Sequence, residues 1–133
     1  MAFRTLAPGV HVWGQIDEAD LDTAAALGVR HVVSNRPDGE EPGQPDAAAV
    51  AQAAAARGLG FTHAPARGLP DAVAIQAVDE VLRTGEPVLL FCRSGMRSAA
   101  AWALASVGSG RLTVDQAVAA GAEAGYDLRA LPY

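Results

Sequence analysis

The run Val88-Leu89-Leu90-Phe91, followed directly by Cys92-Arg93-Ser94-Gly95-Met96-Arg97-Ser98, constrains this chain more than any other stretch. Four consecutive apolar residues have the length and composition of a strand buried in a parallel sheet. A tight loop of small and basic residues comes next, then an alanine-rich helix, Ser98-Ala99-Ala100-Ala101-Trp102-Ala103-Leu104-Ala105. In such a strand–loop–helix unit the loop N–H groups can point inward while the helix contributes its positive N-terminal end. Together they make an anion cradle.

Cys92, the only cysteine in the sequence, sits where that cradle begins. A thiol in that field, close to Arg93 and Arg97, gives up its proton easily and becomes a nucleophile for an anionic substrate. The bland alternative is a buried structural cysteine. Two arginines and a glycine within five positions after it speak against apolar surroundings. Arg93, Ser94, Gly95 and Met96 are the anion-binding candidates, with Arg97 as the charged partner of the reaction.

With 133 residues, one domain with a real core is expected. The net charge of −5 argues against nucleic acid or an anionic membrane as the main partner, although a local basic pocket is compatible with it. One cysteine excludes an internal disulfide, and a reactive thiol suits a reducing compartment, so the cytoplasm is expected. No secretory signal or long apolar span is visible. High Ala, Gly and Arg with little Lys hints at a GC-rich bacterial source. His11, His31 and His63 lie far apart and lack ligand spacing, so neither a metal nor another cofactor is indicated. The oligomeric state is not legible.

In chain order, Val10–Trp13 reads as a first, edge strand. Asp17 caps a helix through Leu27, with Glu18 and Asp20 in its first turn. Arg30–Ser34 is the second strand. The stretch from Asn35 to Pro45 has three prolines and two glycines and no regular structure. It leaves a strand parallel to the cysteine strand, at the edge where open α/β sheets bind ligands. Asn35, Arg36 and Asp38 are therefore site-lining candidates. The alternative is a solvated acidic loop in which Arg36 only neutralises Asp38, Glu40 or Glu41.

A helix from Asp46 to Arg57, closed by Gly58, precedes a third strand, Leu59–Pro65. Arg67–Asp71 is the next loop at the active edge, with Arg67 a further lining candidate. Asp71 is placed to cap the helix Ala72–Leu82, whose inward residues read as Val73, Ile75, Val78 and Val81/Leu82. Its sharper reading is a general acid, with His63 a second, weaker acid/base candidate. Thr113–Gln116 is a capping box for a last helix to about Ala124. Gly125–Leu131 then packs on the surface. The alternation of strands and helices gives an α/β three-layer sandwich with a central, mainly parallel sheet flanked by helices.

Taken together, the markers Asn35-Arg36-Pro37-Asp38-Gly39-Glu40-Glu41, Gly43-Gln44-Pro45, Phe91 through Ser98 and Ala124-Gly125-Tyr126-Asp127-Leu128 resemble the phosphatase-like domain family of the beta-lactamase-hydrolase-like proteins, from Leu6 to Leu131. That family is similar in fold to dual-specificity and tyrosine phosphatases, and Gly9–Gln15 and Leu27–Val33 resemble the opening of those enzymes. The resemblance implies phosphate-ester hydrolysis through a phosphocysteine on Cys92. Arg97 and the loop amides would hold the oxygens, and Ser98 would aid release of the cysteine.

The loop departs from the phosphatase signature in two ways. Only Met96 separates Gly95 from Arg97, one residue fewer than in phosphatases, and Phe91 stands where a histidine usually precedes the cysteine. The aspartate that dual-specificity enzymes carry after the third strand is matched by about Arg67, which leaves Asp71 as the acid. The short loop resembles that of rhodaneses, so the alternative is a sulfurtransferase carrying a persulfide on Cys92. A third reading is a non-catalytic module that binds anions or phosphoproteins. The expected partners are thus a small anionic substrate or phosphoprotein, or a sulfur donor and acceptor thiol. The phosphatase reading is preferred.

Overall fold

The computed structural model describes residues 3–133. The elements run β1 (Arg4–Ala7), β2 (Val10–Trp13), α1 (Glu18–Ala26), β3 (His31–Ser34), α2 (Ala47–Ala55), β4 (Gly60–His63), α3 (Ala72–Leu82), β5 (Val88–Phe91), α4 (Met96–Gly108) and α5 (Val114–Ala124). The five strands form one sheet in the order β1-β2-β5-β3-β4. β2, β5, β3 and β4 are parallel, and β1 pairs antiparallel with β2.

The sheet is covered on both faces, and the two-residue period of β5 sorts its side chains between them. Val88 and Leu90 join the core under α3, α4 and α5, while Leu89 and Phe91 join the core under α1 and α2. Helix α4 is buried without interruption from Ser98 to Ser106. Its alanines let it lie against the sheet, α3 and α5 at once.

Three expectations need correction. β2 is not an edge strand, because the hairpin turn at Pro8-Gly9, with Gly9 at φ 76°, brings β1 alongside it. On α3 the core positions are Ala74, Val78 and Val81, whereas Val73 is 78% exposed. The inward stripe therefore starts one residue later than expected. The segment after α5 is anchored in the core by alternate residues instead of only packing on the surface: Tyr126 and Leu128 are buried, Leu128 against Gly121, where any Cβ would overlap the leucine, while Gly125, Asp127 and Arg129 are exposed.

Asp17, Asp71 and Thr113 match their expected capping roles, whereas Asp46, read as the first residue of its helix, is the cap of α2. Asp17 and Thr113 form capping boxes, and Asp46 and Asp71 each accept a main-chain N–H from the first turn of α2 and α3. The parallel topology carries the ends of β2, β3, β4 and β5 to one edge of the sheet, where the Cys92 loop, the loop after β3 and the loop after β4 meet.

Candidate active site

Cys92 follows β5 and is fully buried at its base. The loop closes on it: the Gly95 N–H donates to Sγ at 3.1 Å. Gly95 then starts α4 in a left-handed conformation, φ 96°. A Cβ at Gly95 would overlap the Tyr126 hydroxyl, so both backbone sign and space require glycine here. Of the five helices, α4 alone has no side chain capping its N-terminus. Its first-turn amides and the positive end of its dipole are left for an anion beside the sulfur. Met96, its first residue, has its N–H only 3.4 Å from the Ser94 hydroxyl, a long contact.

Arg97, one residue into α4, reaches back over the loop. Its Nη1 and Nη2 donate to the two oxygens of Glu40 at 2.7 and 2.8 Å, and Nη1 also donates to the Ala66 carbonyl. The bonds to Glu40 favour the charged guanidinium. Glu40 receives a third bond, from Arg36 Nε at 2.9 Å. The Arg97 bonds and then the one from Arg36 hold its carboxyl down at about 2.

Arg36 is 2% exposed, and its remaining donors go to Glu41 at 2.8 Å and Gln15 Oε1 at 3.0 Å. It does not simply neutralise a solvated loop. It is the buried post from which Glu40 is held against Arg97. Arg93 points outward, 68% exposed, with Glu41 3.8 Å away.

The other candidates divide. Asn35 has no exposed surface; Nδ2 donates to the Ala64 carbonyl and Oδ1 accepts the Ser98 hydroxyl at 2.8 Å. It braces α4 against the end of β4 instead of lining the site. Ser98, equally buried, gives its proton to Asn35. Asp38, Arg67 and Asp71 line one cleft of about 500 Å³ together with His63 and Ala66. Ala66 joins that cleft to Arg97. Within it, Asp71 caps α3 through Oδ1, Asp38 accepts the Ala47 N–H, and His63 Nε2 donates to the Arg36 carbonyl at 2.9 Å.

This geometry can be set beside known proteins. Residues 2–109 match the family described as beta-lactamase hydrolase-like protein, phosphatase-like domain. The chain belongs to this family. A beta-lactamase hydrolase-like protein of Xylella fastidiosa (strain Temecula1) is 38% identical over 117 residues, 86% of this chain and 27% of that protein. The chain thus spans about a quarter of the length of the curated relatives it matches. A crystal structure of a candidate phosphatase from Neisseria meningitidis is 32% identical, with a TM-score of 0.78 over 96% of this chain and 92% of that one. A structure of kinase associated phosphatase, with its catalytic-site cysteine substituted by serine, superposes with a TM-score of 0.69. It covers 90% of this chain and 79% of that one at 15% identity, a likeness of fold alone. The fold is that of the protein tyrosine phosphatases, and the domain is phosphatase-like.

Sequence reasoning did not single out Glu40, Gln15 or Tyr126 as parts of this domain's site. Glu40 lies within a family marker, and the signal available for it was an acid placed four residues after Arg36 in a loop aimed at the active edge. For Tyr126 there was no comparable signal, because it reaches Gly95 only through the tertiary fold.

Proposed function

We propose that the domain is a cysteine-dependent phosphatase acting on phosphate monoesters. The observation that carries this reading is the buried Cys92 sulfur set below the one uncapped helix terminus, with Arg97 beside it. Sγ attacks phosphorus in line with the ester oxygen. The S–P bond forms as the P–O bond breaks, leaving a phosphocysteine that water hydrolyses. The loop amides from Arg93 to Gly95, the first turn of α4 and Arg97 stabilise the charge on the equatorial oxygens. Asp71, in the cleft between the loops after β3 and β4, approaches from that side and protonates the leaving oxygen. The kinase associated phosphatase that shares this fold has a cysteine as its catalytic site, which is in keeping with this assignment.

The test is hydrolysis of aryl phosphates by the intact protein and by Cys92→Ser, with rapid acid quench and intact mass. Turnover abolished by the substitution, and one phosphoryl group trapped on Cys92, are expected. A protein that folds and turns over no aryl phosphate would overturn the reading.

One observation favours a second reading, sulfur transfer. Only four residues separate Cys92 from Arg97, and α4 begins at the fourth. So short a ring suits a single terminal sulfur as well as a phosphoryl group. In that reaction the thiolate takes the sulfane sulfur of thiosulfate, sulfite leaves, and an acceptor thiol or cyanide removes the sulfur. A mass gain of one sulfur after thiosulfate, absent in Cys92→Ser, marks it.

A further inference from the structure

Two clefts flank the Cys92 loop, and they differ in charge. The cleft past Arg97 mixes Asp38 and Asp71 with Arg67 and His63. The other, about 430 Å³, opens at Arg93 and Ser94, and its only formally charged residues are Arg4 and Arg93. Its walls are Trp13, Gly14 and Tyr126. In a chain of net charge −5, a cleft with two arginines and no carboxylate is set apart.

Each arginine is available. Arg4 opens β1, which runs antiparallel and so begins at the edge where the parallel strands end. Its Nη1 donates to the Ala124 carbonyl at 2.8 Å, and its guanidinium lies 5.8 Å from the centre of the Tyr126 ring. That bond uses one of five N–H groups, and no carboxylate among the described residues pairs with Arg4. Arg93 is 68% exposed, and Glu41 at 3.8 Å is too far for a hydrogen bond, unlike the 2.7–2.9 Å pairs of Arg36 and Arg97.

The cleft is tied to the reactive loop. The Tyr126 hydroxyl lies 3.4 Å from the Ser94 carbonyl, and a Cβ at Gly14 would come within 2.8 Å of the Arg93 carbonyl. Ser94 is two residues from Cys92, so their Cα atoms are at most about 7 Å apart.

We propose that Arg4 and Arg93 form a second anion subsite, so that the preferred substrate is a small organic phosphate bearing a further phosphate or carboxylate a short carbon chain away. This rests on the phosphatase reading and names its substrate class. The scissile phosphate enters the cradle above Cys92, the chain crosses Ser94 between Trp13 and Tyr126, and the second anion meets the two guanidinium groups.

The test is calorimetric binding of propyl phosphate and of propane-1,3-diol bisphosphate to Cys92→Ser protein, which cannot turn over. The bisphosphate is expected to bind about tenfold tighter, the worth of one charge-assisted contact. Adding Arg4→Gln, which keeps a polar side chain and removes the charge, should remove most of that advantage and leave propyl phosphate binding unchanged. Arg4→Lys should keep most of it, and it serves as the charge-retaining variant if Arg4→Gln does not fold. Equal affinities, an advantage that survives Arg4→Gln, or no binding of either ligand overturns the proposal. Failure of the phosphatase reading is seen separately, as intact protein without aryl phosphate turnover whatever the affinity ratio.

Discussion

Glu40 and Arg97 meet through two parallel bonds of 2.7 and 2.8 Å, so the arginine expected to grip substrate is gripped first by a carboxylate of the loop after β3. The pair has two opposing effects. It fixes the guanidinium plane, and it places a negative charge beside an anion cradle. Glu40→Gln keeps the shape and removes the charge. Orthophosphate should then bind more tightly, by about three- to tenfold for the loss of one nearby like charge. Turnover of aryl phosphates should fall, because the fork is no longer fixed at two points. Steady-state kinetics with phosphate inhibition reads both, as lower KM and inhibition constant with lower kcat. An unchanged KM and inhibition constant, with kcat lowered only in proportion to the folded fraction, would assign Glu40 to folding alone.

The same carboxylate makes stability depend on acid. Its pKa falls from 4.5 to about 2 in the folded protein, chiefly through Arg97. A depressed carboxylate stabilises the fold above its unfolded value and loses that contribution as pH falls through the folded one. Chemical denaturation of wild type and Glu40→Gln should differ by on the order of 1 kcal/mol at pH 6. The gap should close between about pH 4.5 and pH 2. A gap independent of pH over that range would place the effect elsewhere than in the ionised pair.

Gly95 is the position where the loop has least freedom. Alanine there meets a left-handed backbone, at a cost of about 1–2 kcal/mol, and overlaps the Tyr126 hydroxyl. Gly95→Ala should lower the thermal midpoint by several degrees and turnover by a larger factor than its stability loss explains. Adding Tyr126→Phe should restore part of the stability, since the clashing oxygen is gone, and little of the activity, since the Gly95 N–H that donates to Cys92 Sγ stays displaced.

Ser98 and Asn35 form a fully buried side-chain bond of 2.8 Å. Ser98→Ala leaves Asn35 Oδ1 without its donor, which should cost about 1–3 kcal/mol in denaturant unfolding. If the hydroxyl only braces α4, single-turnover formation and breakdown of the covalent intermediate slow together. If it also assists release of the Cys92 thiolate, breakdown slows more.

The parts of this domain that follow from local chemistry were legible in the chain. Asp17, Asp71 and Thr113 cap helices because a short polar side chain before an alanine-rich run has one favourable use. β5 was legible because four apolar residues in a row fit a strand covered on both faces. β1 was missed because Arg4-Thr5-Leu6-Ala7 has too few residues for a period to show. Only the Pro8-Gly9 turn pointed to its pairing. The site was half legible. Cys92, Arg97 and the loop between them are contiguous, but Glu40 reaches Arg97 across 57 positions and Ser98 reaches Asn35 across 63. Residue spacing carries no record of such contacts. The depth of Arg36, paired yet 2% exposed, likewise follows only from how the loops close over one another.

Asp71 carries two roles on one side chain, and a single substitution separates them. Its Oδ1 accepts the Ala74 N–H at 2.9 Å, a cap worth about 1 kcal/mol. The carboxyl also lines the cleft that Ala66 joins to Arg97, the side from which the leaving oxygen is protonated in the proposed reaction. Asparagine caps as well as aspartate but has no proton to give. Asp71→Asn should therefore leave the unfolding midpoint nearly unchanged. For alkyl or poor aryl leaving groups, which need protonation as the P–O bond breaks, kcat should fall by about 10²–10⁴-fold. For a nitrophenolate, which leaves without a proton, the fall should be slight. The slope of log kcat against leaving-group pKa is the measurement, steeper in the variant than in wild type. Equal slopes would confine Asp71 to its cap and direct the search for an acid to His63 and Asp38 in the same cleft.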